Sequence, residues 1–227
     1  YNHKGNPDKM VPANVSTGSP QYLFRYDSQH RLIAKIGAYS SEMQGFENAR
    51  LYVYDHTNRI IRDTAYSIGF YNSTGEPVIK SGERLRVTSY TYDNKNRVIK
   101  TVELSLPVYY NRIRITREYS YNTAGNVWKV HQVYEDITIP EPDCYPHCIP
   151  AQVRDIYPVY DNKVNFRSLH PIWQFIDRDY SRNNAFTAIS YNKYDLPVEF
   201  TLGEDQLEQT VLGVYCPRAA IRYQYLW

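Results

Sequence analysis

The sequence predicts an all-β protein, an antiparallel meander of repeated tyrosine-rich hairpins that is strongly curled or barrel-like. The chain has 24 tyrosines against 7 phenylalanines and 3 tryptophans, and tyrosine favours strands because its ring packs well on a pleated surface. A ten-residue motif recurs along the chain, each time around turn-forming residues. The segments beside these turns alternate with a period of two, which is typical of half-buried strands.

The motif has a defined pattern: an aromatic residue, any residue, Tyr, Asp or Asn, two polar residues, a special position, a polar residue and two apolar residues. The special position holds His30, Asn58, Asn96 and Gly125, which are residue types that adopt a positive φ more readily than others. Asp or Asn three residues earlier is the favoured first residue of a type I turn. Each copy therefore predicts two strands joined by a type I turn and a left-handed residue. The four copies cover residues 24–33, 52–61, 90–99 and 119–128.

Weaker copies of the motif are also present. Residues 71–79 keep the turn residues but contain Pro77, which cannot donate a hydrogen bond to a neighbouring strand. Tyr194–Val198 resembles a shortened copy, and residues 223–225 are predicted to form a final strand. If neighbouring copies pair in order, their aromatic positions line up across strands and add stability.

The repeat is interrupted between about residues 136 and 184. Residues 137–152 contain four prolines and are predicted to form a loop. Spaced apolar residues with Pro171 near their start predict one or two short helical turns around 168–178, since proline is tolerated in a first helical turn. We expect residues 1–20 to be a flexible lead-in. Residues 21–227 are then a single domain, because no linker separates two halves.

Composition argues against some classes of protein. The 26 Lys and Arg residues are balanced by 24 Asp and Glu, whereas a nucleic-acid binder usually carries a strongly basic face. No apolar run reaches the roughly 18 residues of a transmembrane helix. No signal peptide is visible, and the sequence starts at Tyr1 without a methionine; we expect a mature or trimmed chain.

Enzyme and cofactor motifs are not recognised in the sequence. It contains no nucleophile elbow, P-loop, zinc-protease helix motif or dinucleotide-binding glycine pattern, so we predict a non-enzyme without a cofactor. A hydrolase stays as an alternative, because glycosidases need only two facing carboxylates. The candidate pairs are predicted to be solvated charges in loops. They are Asp177 with Asp179, Glu141 with Asp143, and Glu204 with Asp205.

Three cysteines leave several arrangements open. Cys144, His147 and Cys148 share the proline-rich loop, and Cys216 lies near the end of the chain. A metal site would need three or four such ligands, and an exported protein more often forms a disulfide. We predict no metal and name all three cysteines as disulfide candidates, one of which stays unpaired. Free thiols are the alternative.

The motif Tyr-x-Tyr-Asp-x-x-(Asn/Gly)-Arg-(Leu/Ile/Val) resembles the YD repeat of Rhs-type proteins, with Asn or His where that family mostly has glycine. Residues 160–163, 181–184 and 191–197 are similar to the tail of YD-like lipoproteins of gut Bacteroidetes, a family of unknown function. The resemblance implies an exported protein of the periplasm, outer membrane or cell surface, anchored by a lipid on its precursor. It implies a long antiparallel meander that curls towards a barrel, and no catalytic residues.

The leading functional hypothesis is a non-catalytic binding or scaffold protein of the bacterial envelope. Its partner is unknown; a glycan or an envelope protein are the two candidates. Aromatic side chains on a rigid sheet can stack on sugar rings, and Trp173, Tyr145 and Trp128 are the candidate ligand-binding residues. Exposed, coplanar rings would favour glycan binding, whereas buried rings would mean that these residues only fill the core.

Overall fold

The computed structural model is mostly antiparallel β-structure with one α-helix, which confirms the predicted all-β class. It describes residues 1–12, 14–16, 18–39, 45–72, 77–78, 83–106, 112–138, 150–201, 210–211, 214–215 and 218–223.

Sixteen strands are formed by the described residues. Strands β1 to β16 span, in order, Lys9–Met10, Gln21–Tyr26, Leu32–Ala38, Gly45–Tyr54, Ile60–Tyr71, Pro77–Val78, Glu83–Tyr92, Val98–Ser105, Ile113–Tyr121, Val127–Asp136, Gln152–Ile156, Ala188–Tyr191, Pro197–Thr201, Thr210–Val211, Val214–Tyr215 and Arg218–Ala220. A 3-10 turn at Phe166–Leu169 and helix α1 at Pro171–Asp177 confirm the helical turns predicted around 168–178.

The main sheet is a meander. Its strand order is β1-β2-β3-β4-β5-β7-β8-β9-β10-β11, with β6 paired to β5 beside this path. Two smaller sheets have the orders β12-β13-β16 and β14-β15. Among the described strands no pairing joins β1 to β11, so the order is open and no closed barrel is formed.

The four predicted turns are confirmed by their backbone conformation. The special positions His30, Asn58, Asn96 and Gly125 all have a positive φ, between 59° and 86°. In each turn the N–H of this residue donates to the carbonyl of the Asp or Asn three residues earlier, at 3.0–3.1 Å. The repeat thus encodes its turn through one backbone conformation that few residue types adopt easily.

A fifth complete turn corrects the prediction of a shortened copy at Tyr194–Val198. The turn begins at Asn192, whose N–H donates to the Leu196 carbonyl, and Asp195 holds the positive φ of 60°. The copy therefore spans residues 189–198, with Ile189 at the position of the first aromatic residue. Asp, like Asn, adopts this conformation more easily than most residues, so Asp195 suits the special position.

The chain divides into two compact units. Unit 1 comprises residues 1–91, 100–116 and 133–152, and unit 2 comprises residues 92–99, 117–132 and 153–227. Unit 1 has an apolar cluster on β2 to β4 that includes Leu23, Ile36 and Phe46. Unit 2 has an aromatic cluster in which the rings of Phe186 and Phe200 stack with centroids 4.5 Å apart.

The sheet of unit 1 also buries polar side chains. Asp63 on β5 is opposite Thr88 on β7, and both are buried. The Tyr90 hydroxyl donates a hydrogen bond to Asp63, and Arg86 forms an ion pair with buried Glu103 at 3.5 Å. Tyrosine suits such an interior because its ring is apolar while its hydroxyl finds a polar partner.

Candidate functional site

The repeat provides a rigid scaffold because its turns are held by side chains as well as by the backbone. In the second copy, the Asp55 carboxylate accepts hydrogen bonds from the N–H groups of Thr57 and Arg59 and from Arg59 Nε, at 2.8–3.0 Å. The Arg59 amide is the main cause of a pKa of Asp55 well below its usual range. The same Asp–Arg clamp holds the first and third copies, at Asp27–Arg31 and Asp93–Arg97.

Neighbouring copies are joined by a second contact. The Arg31 guanidinium lies over the Tyr54 ring at 4.8 Å, and the Tyr54 hydroxyl donates to the Leu32 carbonyl at 2.9 Å. Arg97 and Tyr121 repeat the ring contact at 4.4 Å, and Tyr121 donates to the Val98 carbonyl at 2.8 Å. The Tyr and the Arg of the motif therefore link one hairpin to the next.

The copy at Tyr160-Asp161 has an interrupted turn. Asp161 accepts from the Lys163 N–H as in the other copies, but its remaining turn partner is Asn184. The Asn184 N–H donates to Asp161 Oδ1 and the Asn184 side chain donates to Oδ2, at 3.2 and 3.0 Å. Residues 164–183 are thus an insertion within a single turn.

This insertion is fixed against the turn of the fourth copy. The Asn126 side chain accepts hydrogen bonds from the N–H groups of Arg182 and Asn183, both at 3.0 Å. The Val127 N–H donates to the Ser181 hydroxyl at 3.2 Å, and the Tyr160 hydroxyl donates to the Val127 carbonyl at 2.7 Å. The start of β10, which carries Trp128, is therefore held through both the N–H and the carbonyl of Val127.

Trp173 lies within the insertion and does not present its ring to solvent. It is in helix α1 and is only 5% exposed. The helix begins after His170, whose ring nitrogen accepts from the Ile172 N–H at 3.3 Å. A buried ring is what we expected if Trp173 only fills the core. A glycan contact would have required an exposed ring.

Asp177 and Asp179 are not the solvated loop charges that we predicted. Asp177 is the last residue of α1, is buried, and accepts from Arg167 Nε at 2.6 Å. Asp179 contacts Arg167 Nη1 at 3.2 Å and the Asn165 amide at 2.9 Å. Burial raises the pKa of Asp179, against the opposing charge of Arg167. One buried guanidinium thus holds both carboxylates and fixes the insertion.

Trp128 presents its ring to solvent, as a ligand contact requires. The residue is 48% exposed, and its neighbour Tyr157 is 57% exposed. The two ring centroids are 6.2 Å apart and the ring planes are inclined by 39°. The rings are thus exposed, as expected of a glycan contact, but they are not coplanar as that expectation required. We call Trp128 and Tyr157 the aromatic platform.

A charged triad lies beside this platform. Asp155 on β11 accepts from Lys129 Nζ at 2.9 Å and contacts His131 Nδ1 at 2.7 Å. Its pKa is lowered, first by Lys129 and then by His131, and the hydrogen bond to Asp155 raises the pKa of Lys129. The Lys129 ammonium is also 5.9 Å from the Tyr157 ring centroid, so the triad borders Tyr157.

The sequence analysis identified Trp128 but missed Tyr157 and the triad. Trp128 ends the fourth copy of the motif and Lys129 follows it, whereas Asp155 and Tyr157 lie after the proline-rich segment. The two groups meet because β10 and β11 are neighbours in the sheet. A pairing between segments so far apart in the chain leaves no periodic signal in the sequence.

Several predicted site residues lie outside the described residues: Tyr145, Cys144, Cys148 and Cys216, with the acidic pairs Glu141–Asp143 and Glu204–Asp205. Within the described ranges, no group of three or more His, Cys, Asp and Glu side chains is arranged to hold a metal ion. No helix in the described part of the chain is long and apolar enough to cross a membrane.

No family model matches the chain, and no curated protein matches it significantly. The case for a function therefore comes from the geometry of the platform and the triad.

Proposed function

We propose that the chain is a non-catalytic carbohydrate-binding protein whose contact surface is the aromatic platform. The observation that carries this proposal is the adjacency of two half-exposed rings, Trp128 and Tyr157. Large aromatic side chains are usually buried because they remove much apolar area from water. Two of them side by side at the surface favour a ligand with an apolar face of its own, such as a sugar ring.

The separation of the rings defines how a ligand binds. A ligand between two rings needs about 7–8 Å between them, since each carbon–carbon contact takes about 3.5–4.0 Å. The centroids of Trp128 and Tyr157 are 6.2 Å apart, so the ligand lies across both rings and not between them.

The scaffold supports binding at this surface because it holds the platform in one place. Hydrogen bonds to the N–H and to the carbonyl of Val127 fix the backbone there, and a rigid site loses less entropy when a ligand binds. The resemblance of the repeat to YD-type proteins supports a place outside the cytoplasm, in the bacterial envelope. A periplasmic or surface location would give access to glycans.

The test is binding of soluble polysaccharides to the purified chain, measured by calorimetry with Trp128→Ala and Tyr157→Ala. A ring contact contributes about 0.5–1.5 kcal/mol, so each variant should bind up to roughly tenfold more weakly. The matched control is Tyr194→Ala, which removes another exposed ring of unit 2. Unchanged affinity in both platform variants, or no binding to any polysaccharide tested, would overturn the proposal.

A further inference from the structure

The two rings of the aromatic platform differ in orientation. The ring planes of Trp128 and Tyr157 are inclined by 39°, with the centroids 6.2 Å apart. Opposite atoms of a six-membered ring are about two bond lengths, or roughly 3 Å, apart. A ligand ring that lies parallel to Trp128 is therefore out of parallel with Tyr157 by roughly 2 Å across its own width.

This deviation decides how many sugar rings the platform can hold. A gap of about 0.5–1 Å already removes a quarter to a half of the attraction between two atoms. A pyranose ring is rigid and has one mean plane, so it can stack fully on Trp128 or on Tyr157 but not on both. A ligand that uses both aromatic rings therefore needs two sugar rings.

Each aromatic ring can take a sugar on one face. Trp128 and Tyr157 are 48% and 57% exposed, so about half of each residue is covered by the protein. The Lys129 ammonium lies over the Tyr157 ring, 5.9 Å from its centroid, and a cation in this position occupies one ring face. A sugar on Tyr157 therefore stacks on the other face, away from Lys129.

Both rings extend from anchored backbone. Trp128 lies on β10, directly after Val127, whose N–H and carbonyl are both hydrogen-bonded. Tyr157 directly follows β11, the neighbour of β10 in the sheet, and comes after Ile156, which is only 8% exposed. The ligand therefore has to fit the inclination that the sheet gives to the rings.

We propose, on the basis of the carbohydrate-binding function proposed above, that the ligand is a soluble polysaccharide chain that is twisted along its length. One sugar unit of the chain stacks on Trp128 and another stacks on Tyr157, and the planes of these two units differ by about 39°, as the aromatic rings do. In a crystalline polysaccharide such as cellulose the sugar rings lie in flat, parallel layers, so they can stack on only one of the two aromatic rings. A monosaccharide also uses only one.

The test presents the same sugar in three forms. For glucose these are the monosaccharide, a soluble mixed-linkage glucan and crystalline cellulose; for mannose they are the monosaccharide, a soluble galactomannan and crystalline mannan. Calorimetry should show that the soluble chain of at least one series binds about two- to tenfold more tightly than its monosaccharide, because a second ring contact is made. The protein should not be retained on the crystalline form of that series.

Three variants test the use of both rings. Trp128→Ala and Tyr157→Ala should each lower the affinity for the soluble chain to about that for the monosaccharide, since one ring remains. Tyr157→Phe is the matched control, because it keeps the ring and removes only the hydroxyl. It should bind the soluble chain as wild type does.

The outcomes separate this proposal from the proposed function. A monosaccharide that binds as tightly as its soluble chain, or retention on the crystalline form, would overturn the twisted-chain proposal. If that binding were still lost in Trp128→Ala, the proposed function would stand. Absence of binding in both series would overturn the two proposals together.

Discussion

Asn184 binds Asp161 as the fifth residue of a complete turn binds the first, although the two are 23 residues apart. In the first three copies the fifth residue is an arginine that donates to the same carboxylate. At Asp161 the side-chain amide of Asn184 donates in place of the arginine. Residues 164–183 are inserted into the turn between Lys163 and Asn184. The hairpin turn is thus a point where the repeat accepts added structure without losing its local hydrogen bonds.

The first prediction concerns this anchor. Asp161→Ala removes the acceptor for the Lys163 and Asn184 N–H groups, the Asn184 amide and the Tyr191 hydroxyl. Donors left without a partner are costly, so we expect the free energy of unfolding to fall by about 2–3 kcal/mol. Urea unfolding followed by tryptophan fluorescence measures this, since Trp128 and Trp173 both lie in unit 2. Asp8→Ala, at an exposed residue of unit 1, is the control; equal stability of the two variants would contradict the role of Asp161.

The sequence was sufficient to predict the hairpins because each turn depends on neighbouring residues. The Asp or Asn that opens a turn and the residue of positive φ are three positions apart, so their types alone indicate the turn. The fifth turn was overlooked because the pattern was aligned on Tyr194-Asp195 and not on Tyr191-Asn192. The error was one of register within a motif that was correctly recognised.

The interrupted turn could not be predicted, since its partners are far apart in sequence. A Tyr160-Asp161 pair with no arginine four residues later contains no sign that Asn184 completes the turn. For the same reason Arg167, Asp177 and Asp179 appear in sequence as ordinary surface charges. Burial of an ion pair depends on packing around it, and packing of an irregular insertion has no period.

The second prediction concerns Gly125, where the turn approaches the insertion closely. A Cβ atom there would lie 2.7 Å from Arg182 Cδ, and the residue has a φ of +86°. We expect Gly125→Ala to lower the free energy of unfolding by about 1–3 kcal/mol through backbone strain and this clash. Gly125→Asn separates the two causes, because Asn tolerates the positive φ but still brings a Cβ.

The control for this substitution is Asn96→Gly, at the matching position of the third copy. Glycine adopts the φ of 59° found there, so we expect a small effect on the midpoint of thermal unfolding. If Gly125→Asn were as stable as wild type, the contact with Arg182 would not matter and backbone strain alone would explain the glycine.

The third prediction concerns the buried ion pair of the insertion. Arg167→Ala leaves the Asp177 carboxylate, whose side chain is 0% exposed, without its partner at 2.6 Å. Breaking a buried pair on one side costs about 3–5 kcal/mol, which urea unfolding would detect as a lower midpoint. Replacing both partners, as Arg167→Met with Asp177→Leu, should restore only part of the loss, because the Asp177 charge is removed but Asp179 still lacks the Arg167 guanidinium.

Arg154→Ala is the control for the loss of an arginine, since Arg154 is exposed on β11. It should change stability by no more than about 0.5 kcal/mol. An Arg167→Ala variant as stable as Arg154→Ala would mean that Asp177 finds another partner or water. The prediction that this pair fixes the insertion would then be wrong.

The fourth prediction is a dependence of stability on acid that originates in the turns. The pKa of Asp55 is lowered in the folded protein, chiefly by the Arg59 amide, whereas an unfolded Asp has a pKa of about 3.9. A lowered folded pKa stabilises the protein above pH about 4, and this stabilisation is lost as the pH falls below that value towards the folded pKa. Asp55→Asn keeps a residue that opens turns, as Asn122 does in the fourth copy, but has no charge to lose.

Thermal midpoints measured from pH 7 to pH 2.5 should therefore differ most between wild type and Asp55→Asn at neutral pH and converge in acid. Asp8→Asn should run parallel to wild type, and a constant gap for Asp55→Asn would show that the charge of the clamp contributes nothing to stability.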